Sequence, residues 1–145
     1  MAGFVHPPTE DTIRQALALK GVSDYTTIKG LEGSCDLPLS RTAIIGFSKA
    51  NNEFERLLLR PKDYGFDNQD VPLESTNKLL EQMQDTLQGK SSKLTDAAIW
   101  NGGFYLWHCG VSPNLEEGFN QAKNLLITGK VKEKLADITD ERKRP

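Results

Sequence analysis

The residues best placed by type for chemistry lie in one run, Gly30-Leu31-Glu32-Gly33-Ser34-Cys35-Asp36-Leu37-Pro38. It holds two carboxylates, a thiol and a hydroxyl, with glycines and a proline that mark a loop. A loop directly after a strand-forming segment sits where open α/β sheets place their ligands, outside the carboxyl end of a strand. The plainer alternative is an acid that hydrogen-bonds loop amides, the common role of Asp in turns. Elsewhere the chemical content thins. His108 and Cys109 are neighbours in sequence, like a base and a thiol nucleophile, but consecutive helical positions do not face each other. Cys35 and Cys109 are the only cysteines and form neither a CxxC pair nor a disulfide framework. Gly102-Gly103 falls inside an apolar helical run, where each glycine costs about 1 kcal/mol against alanine. Close approach of another helix or strand is the expected compensation, ahead of a ligand contact.

The elements that must position these residues are legible along the chain. Ala2–Val5 reads as a short strand, and His6-Pro7-Pro8 is expected to hold off helix until Thr9, a good N-cap. Glu10 and Asp11 then put negative charge on the first turn, where the helix dipole favours it. Ile13, Ala16, Leu17 and Leu19 follow a helical period that Gly21 stops. Tyr25–Lys29 is aromatic and β-branched, a strand by propensity. Strand, helix, strand predicts a βαβ unit with a parallel pair. Thr42–Phe47 and Glu53–Arg60 predict a β-hairpin closing on Asn51-Asn52, and Pro61 ends it.

From there the pattern is helical. Ser75–Leu87 carries Leu79, Leu80, Met83 and Leu87 on one expected inner face and is capped by Gly89. A helix over Leu94–Cys109 is apolar enough all round to be buried. A third is expected to open at Ser112-Pro113, with Phe119, Ala122, Leu125 and Leu126 inside. Lys130–Ile138 predicts a last short helix, followed by a charged tail from Asp140 to Pro145 that should fray. The expected fold class is α/β: a partial, mostly parallel sheet with a β-hairpin, followed by C-terminal helices. No internal repeat or linker interrupts the chain, so a single domain over residues 1–145 is expected.

Composition excludes several classes. A chain of 145 residues with 37% hydrophobic and 26% charged residues is globular, neither disordered nor built to span a membrane. The net charge of -2 gives no electrostatic reason to bind nucleic acid or an acidic membrane. Lys49, Arg56, Arg60 and Lys62 are scattered and read as solvated surface. With two unpaired cysteines, no basic leader and no long apolar run, a reducing cytoplasmic setting is the expectation.

Several segments, taken in order, carry a family resemblance. Leu57–Phe66 is similar to a segment in which a strand ends in a Pro-acid-aromatic-Gly turn. Asp96–Leu106, with Asn101-Gly102-Gly103 at its centre, resembles a penultimate core helix. Leu115–Ala122 and Ile127–Lys130 match the last pair of helices in order and spacing. Ala16–Val22 and Gly30–Gly33 fit the βαβ unit before them. Together they resemble the C-terminal part of the α/β domain of anthranilate phosphoribosyltransferases, a glycosyltransferase family that uses phosphoribosyl pyrophosphate. The resemblance runs from about residue 3 to residue 138 and rests on collinear order, since each segment is mostly small and apolar residues.

The resemblance implies that the family's N-terminal helical domain and glycine-rich phosphate loop are not in this sequence, which has no Gly-Thr-Gly-Gly-type run. It also implies a place for magnesium, which the intact family enzyme uses. The adjacent Asp-Glu pair of the family falls on Cys35 and Asp36, so Asp36 keeps one carboxylate and a thiol, a poor ligand for a hard cation, replaces the other. Asp36 is the candidate metal residue, with Glu32 as a second, and no catalytic residue is assigned. The chain alone is expected to be inactive and to need no cofactor. Its expected partners are the missing N-terminal half or a copy of itself, and phosphoribosyl pyrophosphate only when the fold is complete. The competing reading is a divergent, non-catalytic paralogue that binds nucleic acid or a protein partner.

Overall fold

Pro7 and Pro8 begin the first helix rather than delaying it. In the computed structural model, which describes residues 1–49, 53–67, 69–72 and 74–141, helix α1 spans Pro7–Leu19 with both prolines at its opening positions. Proline suits those positions because the first amides of a helix lack intrahelical acceptors in any case. His6, in extended conformation, is therefore the N-cap in place of Thr9, and its carbonyl accepts from the amides of Thr9 (2.9 Å) and Glu10 (3.3 Å). At the other end Gly21 takes a left-handed φ of 69°, and the Val22 amide reaches back to the Leu17 carbonyl. This is the glycine stop that the sequence predicts.

The chain divides into two compact units, Met1–Gln69 and Asp70–Pro145. In the first, strands β1 (Ala2–Gly3), β2 (Tyr25–Lys29), β3 (Ala43–Ser48) and β4 (Phe54–Leu59) form one sheet in the order β1-β2-β3-β4. The α/β class holds, and the sheet is mixed. β1 and β2 are parallel, whereas β2–β3 and β3–β4 are antiparallel. Parallel neighbours need a crossover, usually a helix, and only α1 supplies one. The β2–β3 connection carries no more than the 3-10 turn Leu31–Gly33. The β3–β4 hairpin is as expected, but its Asn51-Asn52 turn lies outside the described residues. One sheet face carries the buried row Ile28, Ala43, Ile45 and Leu59; the other carries Thr27, Gly46 and Arg56 side by side in register.

Among the described residues the second unit holds four helices: α2 (Thr76–Leu87), α3 (Lys93–His108), α4 (Leu115–Ile127) and α5 (Lys130–Glu141). Ser75, Ser92 and Asn114 cap α2, α3 and α4, each accepting a hydrogen bond from an amide three residues on. Asn114, not Ser112, opens α4. The Ser112 hydroxyl instead donates to Gln121 Oε1 at 2.7 Å. Helices α3 and α4 cross where two glycines meet. A Cβ on Gly103 would lie 2.7 Å from the backbone of Phe119, and one on Gly118 would lie 2.4 Å from the Gly103 carbonyl. The close helical approach expected of the Asn101-Gly102-Gly103 run is therefore present at Gly103. Around the crossing, Trp100 stacks on Phe119 with centroids 5.0 Å apart, and Phe104, Ala122 and Leu126 are buried.

Two expectations change in this unit. The inner face of α2 is not the predicted stripe, because Leu80 and Met83 are 53% and 49% exposed while Thr86 is buried. Thr86 shares a 3.1 Å hydrogen bond with Thr95 of α3, and Thr95 also donates to the Lys90 carbonyl. That buried hydroxyl pair fixes the rotation of α2 in preference to its apolar stripe. Helix α5 runs to Glu141, so Asp140 and Glu141 of the supposed tail are helical. Residues 142–145 lie outside the described part. Among the described residues no helix is long and apolar enough to cross a membrane.

Candidate functional site

Two glycines seat the loop that follows β2. A Cβ on Gly3 would lie 2.1 Å from the Gly33 carbonyl oxygen, and one on Gly30 would lie 2.0 Å from that of Ser34. The loop backbone thus rests directly on β1 and on the end of β2, a packing only glycine permits. Within it, Ser34 N donates to the Leu31 carbonyl (2.9 Å), and the Arg41 guanidinium reaches the Gly30 carbonyl (3.4 Å). Glu32 adopts a φ of 49°, the left-handed region, and is the one non-glycine residue to do so among those described.

This geometry sets the two metal candidates on one loop. Glu32 and Asp36 are both exposed and Cys35 is half-buried between them in sequence. The loop amide bond expected of the Asp36 side chain is made by Ser34, whose Oγ accepts from Asp36 N at 3.1 Å. Among the described residues no group of three His, Cys, Asp or Glu side chains is arranged to hold a metal ion. The carboxylates of Glu32 and Asp36 are hard oxygen ligands of the kind magnesium takes, usually one or two from the protein beside waters and substrate phosphates, whereas the Cys35 thiol is not. His108 and Cys109 go separate ways. The imidazole stacks flat on Phe104, centroids 5.7 Å apart, and exposed Cys109 closes α3 as its C-cap.

A second cluster, on the face of the sheet beneath α1, is invisible to sequence reasoning. Glu10 is 2% exposed, and its carboxylate accepts from Thr27 Oγ1 at 2.6 Å and from both terminal nitrogens of Arg56, at 3.0 and 2.5 Å. Arg56, read from sequence as solvated surface, is the paired partner of a buried acid, because a buried carboxylate requires a counter-charge. Gly46 lies between Thr27 and Arg56 in register. A Cβ there would lie 2.3 Å from Phe54 Cζ and 2.5 Å from Thr27 Oγ1. The missing side chain lets the Phe54 ring lie inward, where Arg14 covers it at 4.0 Å from the centroid and Arg56 at 5.1 Å. At the hairpin, the Glu55 carboxylate accepts from Lys49 at 2.9 Å. That hydrogen bond, reinforced by its charge, holds the lysine above its ordinary pKa of 10.5.

No protein-family model matches the chain. Individual proteins do. Over 138 residues the chain is 31% identical to the anthranilate phosphoribosyltransferase of Methanococcus vannielii, covering 94% of this chain and 42% of that protein. The Chromobacterium violaceum protein of the same name is 23% identical over 141 residues, covering 95% of this chain and 41% of its own length. The chain therefore spans about two fifths of the length of the curated relatives it matches. Among solved structures, the anthranilate phosphoribosyltransferase of Saccharomyces cerevisiae in complex with 4-fluoroanthranilate superposes with a TM-score of 0.74 at 15% identity, over 95% of this chain and 41% of that one. The Thermus thermophilus enzyme gives 0.65 at 22% identity, over 88% and 38%. At these identities the structural likeness concerns the fold.

Proposed function

We propose, on the premise that this chain is an anthranilate phosphoribosyltransferase-like polypeptide, that it is the C-terminal portion of a protein built for phosphoribosyl transfer and is inactive by itself. The observation that carries this reading is the disparity in coverage: similarity runs along 94–95% of this chain but 41–42% of its relatives. Phosphoribosyl transfer asks for a backbone cradle for pyrophosphate, a divalent cation to neutralise it, and a pocket for the acceptor. The sequence holds no glycine-rich phosphate loop. Its acidic loop offers Asp36 and Glu32, with a thiol at Cys35 between them. In the intact protein, Asp36 supplies a carboxylate oxygen toward magnesium, and Gly3 and Gly30 hold its loop against the sheet. The remaining ligands and the pyrophosphate cradle come from the N-terminal half of the fold, which is the partner this segment requires.

Isothermal titration of phosphoribosyl pyrophosphate with magnesium tests the proposal in two arms. The chain alone should give no binding heat, and heat from it would overturn the claim of inactivity. A longer protein, in which this chain follows a glycine-rich phosphate loop, should give magnesium-dependent heat. Silence there would remove the phosphoribosyl reading and leave the non-catalytic paralogue. That alternative is itself checked by whether nucleic acid binds at low salt and is released as salt rises.

A further inference from the structure

Helix α5 carries an apolar stripe on an open surface. Val131, Leu135 and Ile138 follow a spacing of four and then three, which lines residues along one side of a helix as in the seam of a helix pair. Leu135 and Ile138 are 48% and 41% exposed, and Val131 is half-buried. The element against which α5 packs most is α4, immediately before it, and that contact leaves the middle and end of the stripe uncovered. The charges of α5 are sorted along its length. Lys130, Lys132 and Lys134 fall in the first half and Asp137 and Asp140 in the second, with Glu133 the exception. A helix dipole favours the reverse order, acids at the start and cations at the end. By helical geometry Lys134 and Asp137 flank the same side of the stripe. They are close enough in sequence to pair, yet among the described residues neither takes part in an ion pair.

An order of charges that is unfavourable in one helix becomes complementary when two helices run in opposite directions. We propose that the Val131, Leu135 and Ile138 face of α5 is the contact surface for a second copy of this chain, the two helices lying antiparallel about a two-fold axis at Leu135. That axis sets Leu135 against its own counterpart and Val131 against Ile138 of the second copy. It also sets Lys134 beside Asp137 of the second copy, and two-fold symmetry makes each of these last two contacts twice. A parallel pair is disfavoured, because it gathers the lysines of both copies at one end. A lipid surface matches less well, because it selects cations along the whole polar face of a helix. Twelve residues make a helix about 18 Å long, so the interface is small and the pair weak and reversible. Nothing in this pairing depends on the phosphoribosyl reading.

The test is isotope-filtered NMR on a concentrated mixture of labelled and unlabelled whole chain. An NOE between the methyl groups of Val131 and Ile138 should appear. It can arise only between copies, because seven residues of one helix separate the two positions by about 10.5 Å. The Val131, Leu135 and Ile138 methyl signals should also move on dilution as the pair dissociates. Lys134→Glu and Asp137→Lys, each alone, set like charges face to face and should weaken pairing at least about fivefold. Mixing the two variants rebuilds both ion pairs in the mixed dimer and should restore the NOE at near wild-type affinity, a rescue that damage to the fold cannot imitate. Absence of the NOE from the folded wild-type chain overturns the proposal, as does a mixture of the two variants that associates no better than either alone. Methyl signals that ignore dilution overturn it too, and give the stripe to a different occupant such as the rest of a longer chain.

Discussion

Gly102 and Gly103 are adjacent, identical in type and helical, yet they should answer the same substitution in opposite directions. A methyl at Gly103 meets Phe119 backbone at 2.7 Å, whereas at Gly102 the nearest atom outside the helix is the Ala122 Cβ at 3.6 Å, an ordinary contact. Alanine adds about 1 kcal/mol of helix propensity at either position. At Gly102 nothing opposes that gain, so Gly102→Ala should raise the unfolding midpoint. At Gly103 two helices must separate, and overpacking of this kind outweighs propensity, leaving a net loss of about 1–3 kcal/mol. Paired urea titrations decide it; a neutral Gly103→Ala would mean that the α3–α4 crossing is looser than described. Lys49 offers a second residue-scale test. Its pKa is raised by the hydrogen bond and charge of Glu55, so protonated lysine favours the folded hairpin. The contribution is complete below the ordinary lysine pKa and fades as pH climbs through the raised one, in the window above 10.5. An NMR titration of the Lys49 side chain should show the raised value, and Glu55→Gln should lower it toward the ordinary one, leaving only the weaker upward pull of Glu53.

At the scale of elements, the anchoring of α1 to the sheet rests on Glu10, and the two ends of its ion pair are unequal. Arg56→Met leaves a carboxylate at 2% exposure with only the Thr27 hydroxyl, whereas Glu10→Gln leaves a guanidinium that is 43% exposed and can hydrate. The first should cost about 2–3 kcal/mol and the second about 1 kcal/mol, the usual burial penalty being reduced because half of the pair reaches water. Equal losses from chemical denaturation would mean that the pair is not the anchor. Capping offers a sharper comparison. Asn114→Ala should cost about 1 kcal/mol and speed hydrogen exchange at the Glu117 amide, while Ser112→Ala should leave that amide protected. Ser112-Pro113 misleads because either Ser112 or Asn114 can cap, and what separates them is a tertiary bond from Ser112 to Gln121. Glycine stops, strand positions and helix order were legible because they are local: Gly21, Gly89 and Gly129 all take the left-handed φ that ends α1, α2 and α4. The Glu10–Arg56 pair spans 46 positions and leaves no local pattern, so a first-turn acid and a surface arginine looked unrelated. Likewise the exposed side of α2 followed from a threonine pair that no hydrophobic period encodes. For the acidic loop, Glu32 and Asp36 were readable as residues, but their seating on Gly3 needed the parallel β1–β2 pairing.

For the molecule as a whole, the sheet ends at β4, and the protection of that edge is uneven. Strand β3 pairs along one side of β4, and no strand pairs with its other side among the described residues. Edge strands invite pairing with another chain unless charge, proline or a bulge blunts them. Glu55 and Arg56 guard the first half, but Leu57-Leu58-Leu59 follows without a charge, and Leu58 is 58% exposed. Arg60 and Pro61 close the strand, so a partner would have only the leucine run to pair with. A segment matching about two fifths of its relatives' length is a natural place for such an edge, because in a longer chain further structure can cover it. Left alone, the chain should associate reversibly, with a sedimentation coefficient that rises with concentration. Leu58→Lys places a charge in the unguarded half and should shift the population toward monomer without lowering the unfolding midpoint, since the side chain is exposed. A wild-type chain that sediments as a strict monomer at high concentration would show that the two flanking charges and Pro61 blunt the edge by themselves.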